Sequence, residues 1–334
     1  MVASVSMPTT TGLHVQVSCI TTVAQEVIAL EIRAGEGYVL PPFTAGAHID
    51  LKLPTRDAAG HFMLRQYSLC NDPSERGRYV VAVGRDVNSR GGSAWLHEHL
   101  RKGDTLHISA PRNHFQLVEE AAQSVLVAGG IGITPLLAMA RRLSALKRPW
   151  TLYYCARSPE RAAFLQELKE LPGTVIPVFD GVPGGRPIDL HAVLAQVPSD
   201  AHFYCCGPTS LMEAFEAAAA GRPAHHVHVE WFKPRPTEAG SSVDADDAFE
   251  VRLARTGKTL TIPAGRSILE VLIDAGVDVQ HSCCDGVCGT CEARVLEGIP
   301  DHRDSVLFGE DAKCTDRMMV CISRSRGPSL TLDL

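Results

Sequence analysis

Four cysteines near the C-terminus have the spacing of a metal centre. Cys283 and Cys288 have four residues between them, Cys288 and Cys291 have two, and Cys321 follows at a distance. The order C-x4-C-x2-C…C is typical of four thiolates that hold a [2Fe–2S] cluster. The chemistry that these residues predict is therefore the transfer of single electrons.

The residues around these cysteines leave one alternative open. Gly286 and Gly289 allow a short loop to bring backbone N–H groups toward the cluster sulfurs without side-chain clashes. A structural zinc site usually pairs one C-x2-4-C knuckle with a second knuckle or with two histidines, and the sequence has no second knuckle. We predict the cluster, with zinc as the alternative. Cys284 fits no ligand position and Cys314 has no partner spacing, so we expect both to be bystander thiols.

Length and composition limit the kind of protein that carries this centre. A chain of 334 residues predicts two or three domains. The net charge of -6 and the 45% content of hydrophobic residues are typical of a soluble globular protein that binds no nucleic acid. The first residues lack a basic segment before an apolar run, and no stretch approaches the ~18 apolar residues of a membrane span. We therefore expect a cytoplasmic protein with reduced cysteines.

The residues around the cysteines predict a small module of strands and one helix. Residues 249–265 alternate apolar and polar side chains on both sides of a turn, which predicts a hairpin, and residues 267–276 have helical apolar spacing. The module resembles a plant-type ferredoxin domain of β-grasp type over residues 248–334. The preceding residues 234–247 are rich in Pro, Ser and acidic side chains and predict a linker.

A glycine turn in the middle of the chain is a candidate nucleotide site. Residues 124–143, SVLVAGGIGITPLLAMARRL, combine an apolar run, a turn with three glycines and a helical pattern. Such a turn lets the backbone approach a pyrophosphate at a helix N-terminus. It lacks the full G-x-G-x-x-G pattern, because Pro135 follows Thr134, and similar turns between a strand and a helix also occur without a nucleotide.

The segments that follow continue the alternation of strands and helices. The pattern predicts strands at 150–158 and 173–180, a helix at 160–171, and a strand that enters a helix over 201–220. This alternation predicts a parallel sheet with ligands at the carboxyl ends of its strands, where GGIGITP and CCGP both fall. The two motifs resemble the nicotinamide-nucleotide domain of the ferredoxin–NADP reductase superfamily, here residues 119–233. That resemblance implies that Cys206 lies close to the nicotinamide, whereas we expect Cys205 to be core.

The N-terminal third carries a pattern that resembles the flavin motif of the same superfamily. In RQYSLCN, the resemblance implies that Arg65 reaches a phosphate, Tyr67 packs on the flavin and Ser68 bonds near its N5. A guanidinium suits a phosphate and an aromatic face shields a planar ring, although a lone Tyr-Ser pair in a strand is also typical of a core. Residues 89–93, at a helix entrance, favour a terminal phosphate and therefore FMN. The alternation through residues 1–118 predicts a small antiparallel barrel.

The order of flavin barrel, nucleotide domain and ferredoxin domain is informative as a whole. Together with GGIGITP, SCxxGxCGTC, DHRDSVL, CISR and LDL, it makes the chain resemble the phthalate dioxygenase reductase and vanillate O-demethylase reductase family. The resemblance implies that NADH reduces FMN, that electrons pass singly to the [2Fe–2S] cluster, and that the cluster reduces a Rieske-type oxygenase in a transient complex. In HVEWFKP, Phe232 would cover the flavin, with simple packing as the alternative. We also expect a monomer.

The resemblance implies a wider set of site residues. Catalytic roles fall to Ser68, Cys206 and Phe232, and the cluster ligands are Cys283, Cys288, Cys291 and Cys321. The implied cofactor-binding residues are Arg65, Tyr67, Ser68, Leu69, Ala82, Val83, Arg85, Gly91, Gly92, Ser93, Gly130, Gly132, Thr134, Pro135, Arg157, Ser158, Cys206, Gly207, Pro208 and Phe232.

Cofactor choice and the acceptor stay open at this point. An acidic residue near the end of the second nucleotide strand would favour NADH, but this position holds Arg157 and Ser158, with Arg161 nearby. These residues leave NADPH open, while the resemblance favours NADH. A reductase of the same architecture for a cytochrome P450 or a diiron monooxygenase would keep every motif, and the acceptor in a reconstituted assay would distinguish it. A non-catalytic, metal-binding, redox-responsive protein would lack the yellow-brown colour of a flavin and an iron–sulfur cluster.

Overall fold

The computed structural model of the chain describes residues 12–35, 38–56, 62–86, 91–235, 247–307 and 311–334. The chain divides into two compact units, Met1–Ile188 and Asp189–Leu334, which are called unit 1 and unit 2 below. Residues 89 and 90 of the predicted phosphate site and residues 236–246 of the predicted linker lie outside the described residues. The domain boundaries at residues 118, 233 and 247 stay predictions.

Unit 1 begins with strands and continues with alternating strands and helices. Its elements are β1 (Leu13–Ala24), β2 (Val27–Ala34), β3 (His48–Arg56), β4 (Phe62–Ser68), β5 (Tyr79–Gly84), α1 (Gly92–His99), β6 (Thr105–Ile108), β7 (Ser124–Gly129), α2 (Ile133–Ala145), β8 (Trp150–Ala156), α3 (Leu165–Lys169) and β9 (Thr174–Phe179).

The first sheet of unit 1 is antiparallel and closes on itself. Among the described residues its six strands run in the order β4-β3-β6-β1-β2-β5, and every pairing is antiparallel. An isolated bridge between Leu69, the residue after β4, and Val81 of β5 joins the two outer strands. Alternate side chains such as Ile49 and Leu51 are fully buried inside it, as the period of two in a strand requires. The predicted barrel is confirmed, and it puts β4 at the seam.

The second half of unit 1 is a parallel arrangement. Strands β7, β8 and β9 pair in parallel, and all positions of β7 are buried, which is typical of a strand covered on both faces. A 3-10 turn at Gly130–Gly132 leads from β7 into α2. The strand, turn and helix predicted over residues 124–143 are therefore confirmed.

One predicted helix of unit 1 is shorter than expected. The pattern predicted a helix over residues 160–171, but α3 covers only Leu165–Lys169, after a short 3-10 turn at Pro159–Arg161. Phe164 has a φ of 60°, and the buried Tyr154 hydroxyl donates to the Ala163 carbonyl at 3.1 Å. This tertiary hydrogen bond takes the carbonyl that a continuous helix would use for its own ladder.

Unit 2 begins with the remaining strand–helix pairs and ends in a separate sheet. Its elements are α4 (Leu190–Ala195), β10 (His202–Cys206), α5 (Thr209–Ala219), β11 (Val227–Glu230), β12 (Phe249–Leu253), β13 (Thr259–Ile262), α6 (Ile268–Asp274), β14 (Glu292–Glu297), β15 (Pro300–Asp301), β16 (Arg317–Met319), β17 (Arg324–Ser325) and β18 (Ser329–Leu332). Strands β10 and β11 are parallel, and the predicted strand that enters a helix over residues 201–220 is confirmed by β10 and α5.

The C-terminal sheet has the mixed order of a β-grasp. In the described part of unit 2 its strands run β13-β12-β18-β14-β16; β12 and β18 are parallel, and the other pairs are antiparallel. The predicted hairpin is β12 and β13, and the predicted helix is α6. A reciprocal capping box between Ser267 and Glu270 starts α6, and Gly276, at φ 73°, follows its end.

Within the described residues, no helix combines the length and the apolar character that crossing a bilayer would require.

Candidate functional site

The fold of unit 2 brings the four predicted cluster ligands together. Cys291 comes just before β14 and Cys321 follows β16; these strands pair antiparallel, and the Val320 N–H donates to the Cys291 carbonyl at 3.2 Å. The Cys283 sulfur lies within hydrogen-bonding reach of the sulfurs of Cys288 and Cys321, and the Cys291 sulfur within reach of that of Cys321. All four thiols therefore meet at one place.

The loop supplies N–H donors that favour thiolates. The Asp285 N–H points to the Cys283 sulfur at 3.4 Å, and the Thr290 N–H points to the Cys288 sulfur at 3.4 Å. Hydrogen bonds from Cys288, from Cys321 and from the backbone lower the pKa of Cys283. Because a thiolate is the form that ligates iron, this environment suits a metal centre.

Cys284 differs from the ligand candidates in its exposure. It is exposed, whereas Cys288, Cys291 and Cys321 are buried, and its sulfur contacts the Ser282 carbonyl at 3.9 Å. Four converging thiolates are the ligand set of a [2Fe–2S] cluster, and they also occur in structural zinc sites.

The DHRDSVL motif has a structural role that its sequence did not predict. The Asp304 side chain is fully buried and accepts hydrogen bonds from the N–H groups of Val306 and Leu307 and from the Ser323 hydroxyl at 3.0 Å. The Ser305 N–H donates to the Gly286 carbonyl in the cysteine loop at 2.8 Å. The acidic Asp304 close to the apolar Val306 and Leu307 was the signal in the sequence that could have indicated a buried, hydrogen-bonded carboxylate. Asp304 and Ser305 thus tie together the two segments that carry the cysteines.

In unit 1, the predicted phosphate residues form a cradle between β4 and α1. The Arg65 side chain lies against the N-terminus of α1 so closely that a Cβ on Gly92 would be 2.4 Å from the Arg65 Nε. Gly91, at φ 95°, precedes the helix, and the Ser93 hydroxyl accepts from the Asp86 N–H at 3.3 Å. A guanidinium beside a helix N-terminus is a suitable place for a phosphate.

The other predicted flavin residues lie at the seam of the barrel. Ser68 is buried at the end of β4, and Tyr67 packs against the barrel core, where burial raises its pKa. Leu69, Ala82 and Val83 are buried, so contacts from them to a cofactor would use the backbone. The Arg85 guanidinium pairs with Glu98 of α1 at 2.5 Å.

The predicted pyrophosphate turn has an open side. Gly130 adopts a φ of 53°, and a Cβ there would meet nothing within 4 Å. Ile131 packs on Gly84 of β5, with contacts of 3.6–3.8 Å to a Cβ built there. The Thr134 hydroxyl donates to the Ile131 carbonyl at 3.0 Å, and Thr134 and Pro135 are buried in the first turn of α2. Thr134 therefore shapes the turn, while Gly130 leaves space beside it for a ligand.

The cations near the predicted ribose site are paired with carboxylates. The Arg157 guanidinium, 76% exposed, lies 3.7 Å from Asp180. Arg161 lies 3.0 Å from Glu26, and Ser158 hydrogen-bonds Glu160. A 2′-phosphate of NADPH would therefore share both guanidinium groups with acidic side chains.

The predicted nicotinamide residues lie in unit 2. Cys206 is fully buried at the end of β10, where burial and the charge of Glu230 raise the pKa of its thiol. Gly207 and Pro208 lead from β10 into α5. Phe232 is 39% exposed while the adjacent Trp231 is 4% exposed. The packed aromatic of this segment is therefore Trp231, and Phe232 has a free face.

Two family models match the chain. An oxidoreductase NAD-binding domain matches residues 126–217, and a 2Fe-2S iron-sulfur cluster binding domain matches residues 251–326. These matches confirm the predicted NAD-binding and [2Fe–2S] domains and show that the chain is an oxidoreductase.

Solved structures match nearly the whole chain. Phthalate dioxygenase reductase, described as a modular structure for electron transfer from pyridine nucleotides to [2Fe-2S], has 40% sequence identity and a TM-score of 0.68, covering 97% of this chain and 98% of its own. An intact type IV self-sufficient cytochrome P450 monooxygenase has 36% identity and a TM-score of 0.87, covering 98% of this chain; this chain spans 43% of that protein. Together with the family models, they confirm the predicted fold class and the predicted cofactor set of FMN, NADH and a [2Fe–2S] cluster.

A curated relative gives the same result from sequence alone. The phenoxybenzoate dioxygenase subunit beta of Ectopseudomonas oleovorans is 47% identical over 311 residues, which are 93% of this chain and 94% of the relative. Such similarity over nearly the full length of both proteins means that the chain belongs to the phthalate dioxygenase reductase and vanillate O-demethylase reductase family.

Proposed function

We propose that this chain is the reductase component of a Rieske-type oxygenase or O-demethylase that acts on aromatic compounds. The observation that carries the proposal is the convergence of four thiols, with backbone N–H donors, in the ferredoxin module of an NAD-binding oxidoreductase. Its relatives include reductase subunits named for phthalate and vanillate oxygenase systems. With the cofactors bound, the chemistry supplied is hydride transfer to FMN followed by single-electron transfer through the cluster.

The barrel residues hold and orient the flavin. Arg65 and the N-terminus of α1 bind its terminal phosphate, and the Gly92 position has to stay without a side chain because Arg65 occupies that space. Tyr67 covers one face of the ring system, and the buried Ser68 hydroxyl directs a hydrogen bond to its edge. Burial of Ser68 keeps water from competing for that bond.

The nucleotide residues bind NADH and present its nicotinamide. The glycine turn at 130–132 takes the pyrophosphate at the start of α2, and the pairing of Arg157 with Asp180 favours NADH over NADPH. Cys206, held as a neutral thiol by its burial, contacts the nicotinamide. Phe232 uses its exposed face to cover the flavin and yields to the nicotinamide.

The cluster residues are Cys283, Cys288, Cys291 and Cys321, with Cys284 outside the ligand set. The protein works as a monomer that binds its oxygenase transiently, in a cytoplasmic environment where its cysteines stay reduced. None of the eleven cysteines forms a disulfide, in keeping with that environment.

The test is reconstitution with purified acceptors. The protein is mixed with NADH or NADPH and with a Rieske-type oxygenase of a homologous phthalate or vanillate system, and substrate-dependent nucleotide consumption is measured. Coupled turnover with NADH at least tenfold faster than with NADPH supports the proposal. Reduction of the protein by NADH without reduction of any Rieske-type centre would contradict it.

One specific observation favours a second candidate, the reduction of a cytochrome P450. The intact self-sufficient cytochrome P450 monooxygenase contains a region of the same fold, with a TM-score of 0.87, and this similarity supports the second candidate. The same assay, with a P450 and carbon monoxide to trap its reduced haem, decides between the two acceptors.

A further inference from the structure

The residues just after β11 form a compact polar contact with α5. The Trp231 indole N–H donates to Glu216 of α5 at 3.2 Å, and the Arg235 guanidinium donates to the same carboxylate at 2.8 Å. The guanidinium also lies over the Trp231 ring, 5.1 Å from its centroid. The segment that carries the partly exposed Phe232 is therefore fixed at both ends, by Trp231 and by Arg235.

The backbone of the same segment contacts the cysteine loop. The Arg235 N–H donates to the Ser305 hydroxyl at 3.1 Å, and the Ser305 N–H donates to the Gly286 carbonyl at 2.8 Å. Ser305 is 8% exposed, so water competes little for either bond. The neighbouring Asp304 adds a favourable charge for Arg235 and holds Ser323, two residues beyond Cys321.

We propose that Glu216, Arg235 and Ser305 form a bridge that fixes the cluster loop to the end of the nucleotide-binding region. In this bridge they are positioning residues for electron transfer to the cluster. The inference rests on the proposed function, because it assigns the bridge a role in the path that ends at the cluster. The bridge contains none of the cysteines, and its member Arg235 lies three residues after Phe232.

The bridge limits how far the ferredoxin module can move at the predicted linker. On the ferredoxin side of residues 236–246, the Arg324 guanidinium donates to the Asp247 carbonyl at 3.2 Å. On the other side, Arg235 is bonded to Ser305. Both described flanks of the linker are thus attached to the ferredoxin module. Excursions of the module toward an external acceptor have to break the bond between Arg235 and Ser305 first.

The test compares two rates in the holoprotein of Ser305→Ala. Alanine removes the hydroxyl that Arg235 contacts but keeps the N–H that holds Gly286. Anaerobic stopped-flow absorption with NADH gives the rate of flavin reduction and the later rate of cluster reduction. We expect cluster reduction to slow about fivefold, the factor that corresponds to one hydrogen bond of about 1 kcal/mol, and flavin reduction to change less than twofold. Ser305→Thr, which keeps a hydroxyl, should reduce the cluster at the rate of the unsubstituted protein.

Two further variants test whether the slowing of cluster reduction is specific to the bridge. Ser325→Ala removes a hydroxyl of the same module that accepts the local Gly327 N–H at 3.1 Å, and it should leave both rates unchanged. Glu216→Gln should slow cluster reduction, and the double variant Ser305→Ala/Glu216→Gln should be slower by less than the product of the single effects, because both act through Arg235. Iron content and the EPR spectrum of the reduced cluster should match the unsubstituted protein.

The outcomes separate this inference from the proposed function. If the unsubstituted protein shows NADH-dependent cluster reduction and Ser305→Ala shows the same two rates, the bridge has no positioning role. If the unsubstituted protein itself fails to reduce its cluster with NADH, the proposed function fails first. Equal slowing of flavin and cluster reduction in Ser305→Ala would indicate a general structural defect and would also overturn the inference.

Discussion

The cluster loop and the flavin cradle reach their sites by different routes. Three of the four cluster thiols lie within one short loop, and the pairing of β14 with β16 adds Cys321. The flavin cradle instead joins Arg65 of β4 to the start of α1, which only closure of the barrel brings together. A site that is local in sequence is set by spacing and glycine conformation, whereas a site assembled from distant strands depends on the whole core. The two should therefore respond differently to single substitutions.

The largest effect is expected at the cluster ligands. Replacing Cys283, Cys288, Cys291 or Cys321 by Ser should abolish the cluster, because each thiolate supplies one of the four ligand positions. The measurement is iron and sulfide analysis with EPR of the dithionite-reduced protein. Cys284→Ser is the matched control and should keep the cluster, and NADH should still bleach the flavin in every variant. Loss of the cluster in Cys284→Ser alone would show that the ligand assignment is wrong.

A loop glycine gives the next largest effect. Gly286 has a φ of 68°, and a Cβ there would lie 2.6 Å from the Ile322 side chain, so Gly286→Ala meets both backbone strain and a clash. Gly257 has a φ of 70° with nothing within 4 Å of its Cβ, so Gly257→Ala meets the strain alone, worth about 1–2 kcal/mol. The iron content and the free energy of unfolding measured with denaturant should fall clearly further for Gly286→Ala than for Gly257→Ala. Equal losses would mean that close packing of the loop contributes nothing to the cluster.

Substitutions in the flavin cradle should lower the affinity for FMN rather than the stability of the protein. Arg65→Ala removes a charge-assisted contact worth about 1.5–3 kcal/mol, which raises the Kd for FMN about tenfold to 150-fold. Gly92→Ala should act in the same direction because its Cβ would displace the Arg65 side chain. Arg33→Ala is the control, since Arg33 pairs with Glu31 and is 53% exposed. Fluorescence titration of the deflavinated protein decides, and an unchanged Kd in Arg65→Ala would remove Arg65 from the phosphate site.

The smallest effect concerns pH and the histidines of β10 and β11. Burial and the neighbouring histidines lower the pKa of His228 from 6.5 to about 4, and His202 lies 2.9 Å from it. The His228 imidazole of the unfolded chain takes up a proton at a higher pH than that of the folded protein. The free energy of unfolding of unit 2 therefore has its full value above pH 6.5 and decreases as the pH drops toward 4. The loss should reach about 2 kcal/mol at pH 5. Denaturant unfolding at pH 7.5 and pH 5 measures it, and His228→Gln should reduce it; equal pH dependence in that variant would refute the assignment.

Sequence patterns predicted the elements well where local signals were strong. The strand, turn and helix around the glycines at 129–132 and the hairpin and helix of the ferredoxin module are present as predicted. The helix predicted over residues 160–171 is shorter, because the hydrogen bond from Tyr154 to the Ala163 carbonyl is a tertiary contact that no periodicity reveals.

The candidate sites were predictable from the sequence only where local spacing defines them. The cysteine spacing identified the four thiols that converge, since a cluster fixes the distances between its ligands. The roles of Asp304 and Ser305 depend on a fold that brings them to Gly286 and Ser323, so their sequence positions alone gave no partner. The contact of Arg65 with Gly92 was hidden in the same way, because it follows from closure of the barrel.

Electrons from NADH should leave this protein through its cluster. The decisive experiment is anaerobic mixing of the holoprotein with one equivalent of NADH, followed by rapid freezing at successive times and EPR. We expect flavin absorbance to fall first and the signal of the reduced [2Fe–2S] cluster then to rise, and we expect an added one-electron acceptor to be reduced no faster than this signal appears. Acceptor reduction that runs at full speed while the cluster stays oxidised, or in Cys321→Ser without a cluster, would contradict it.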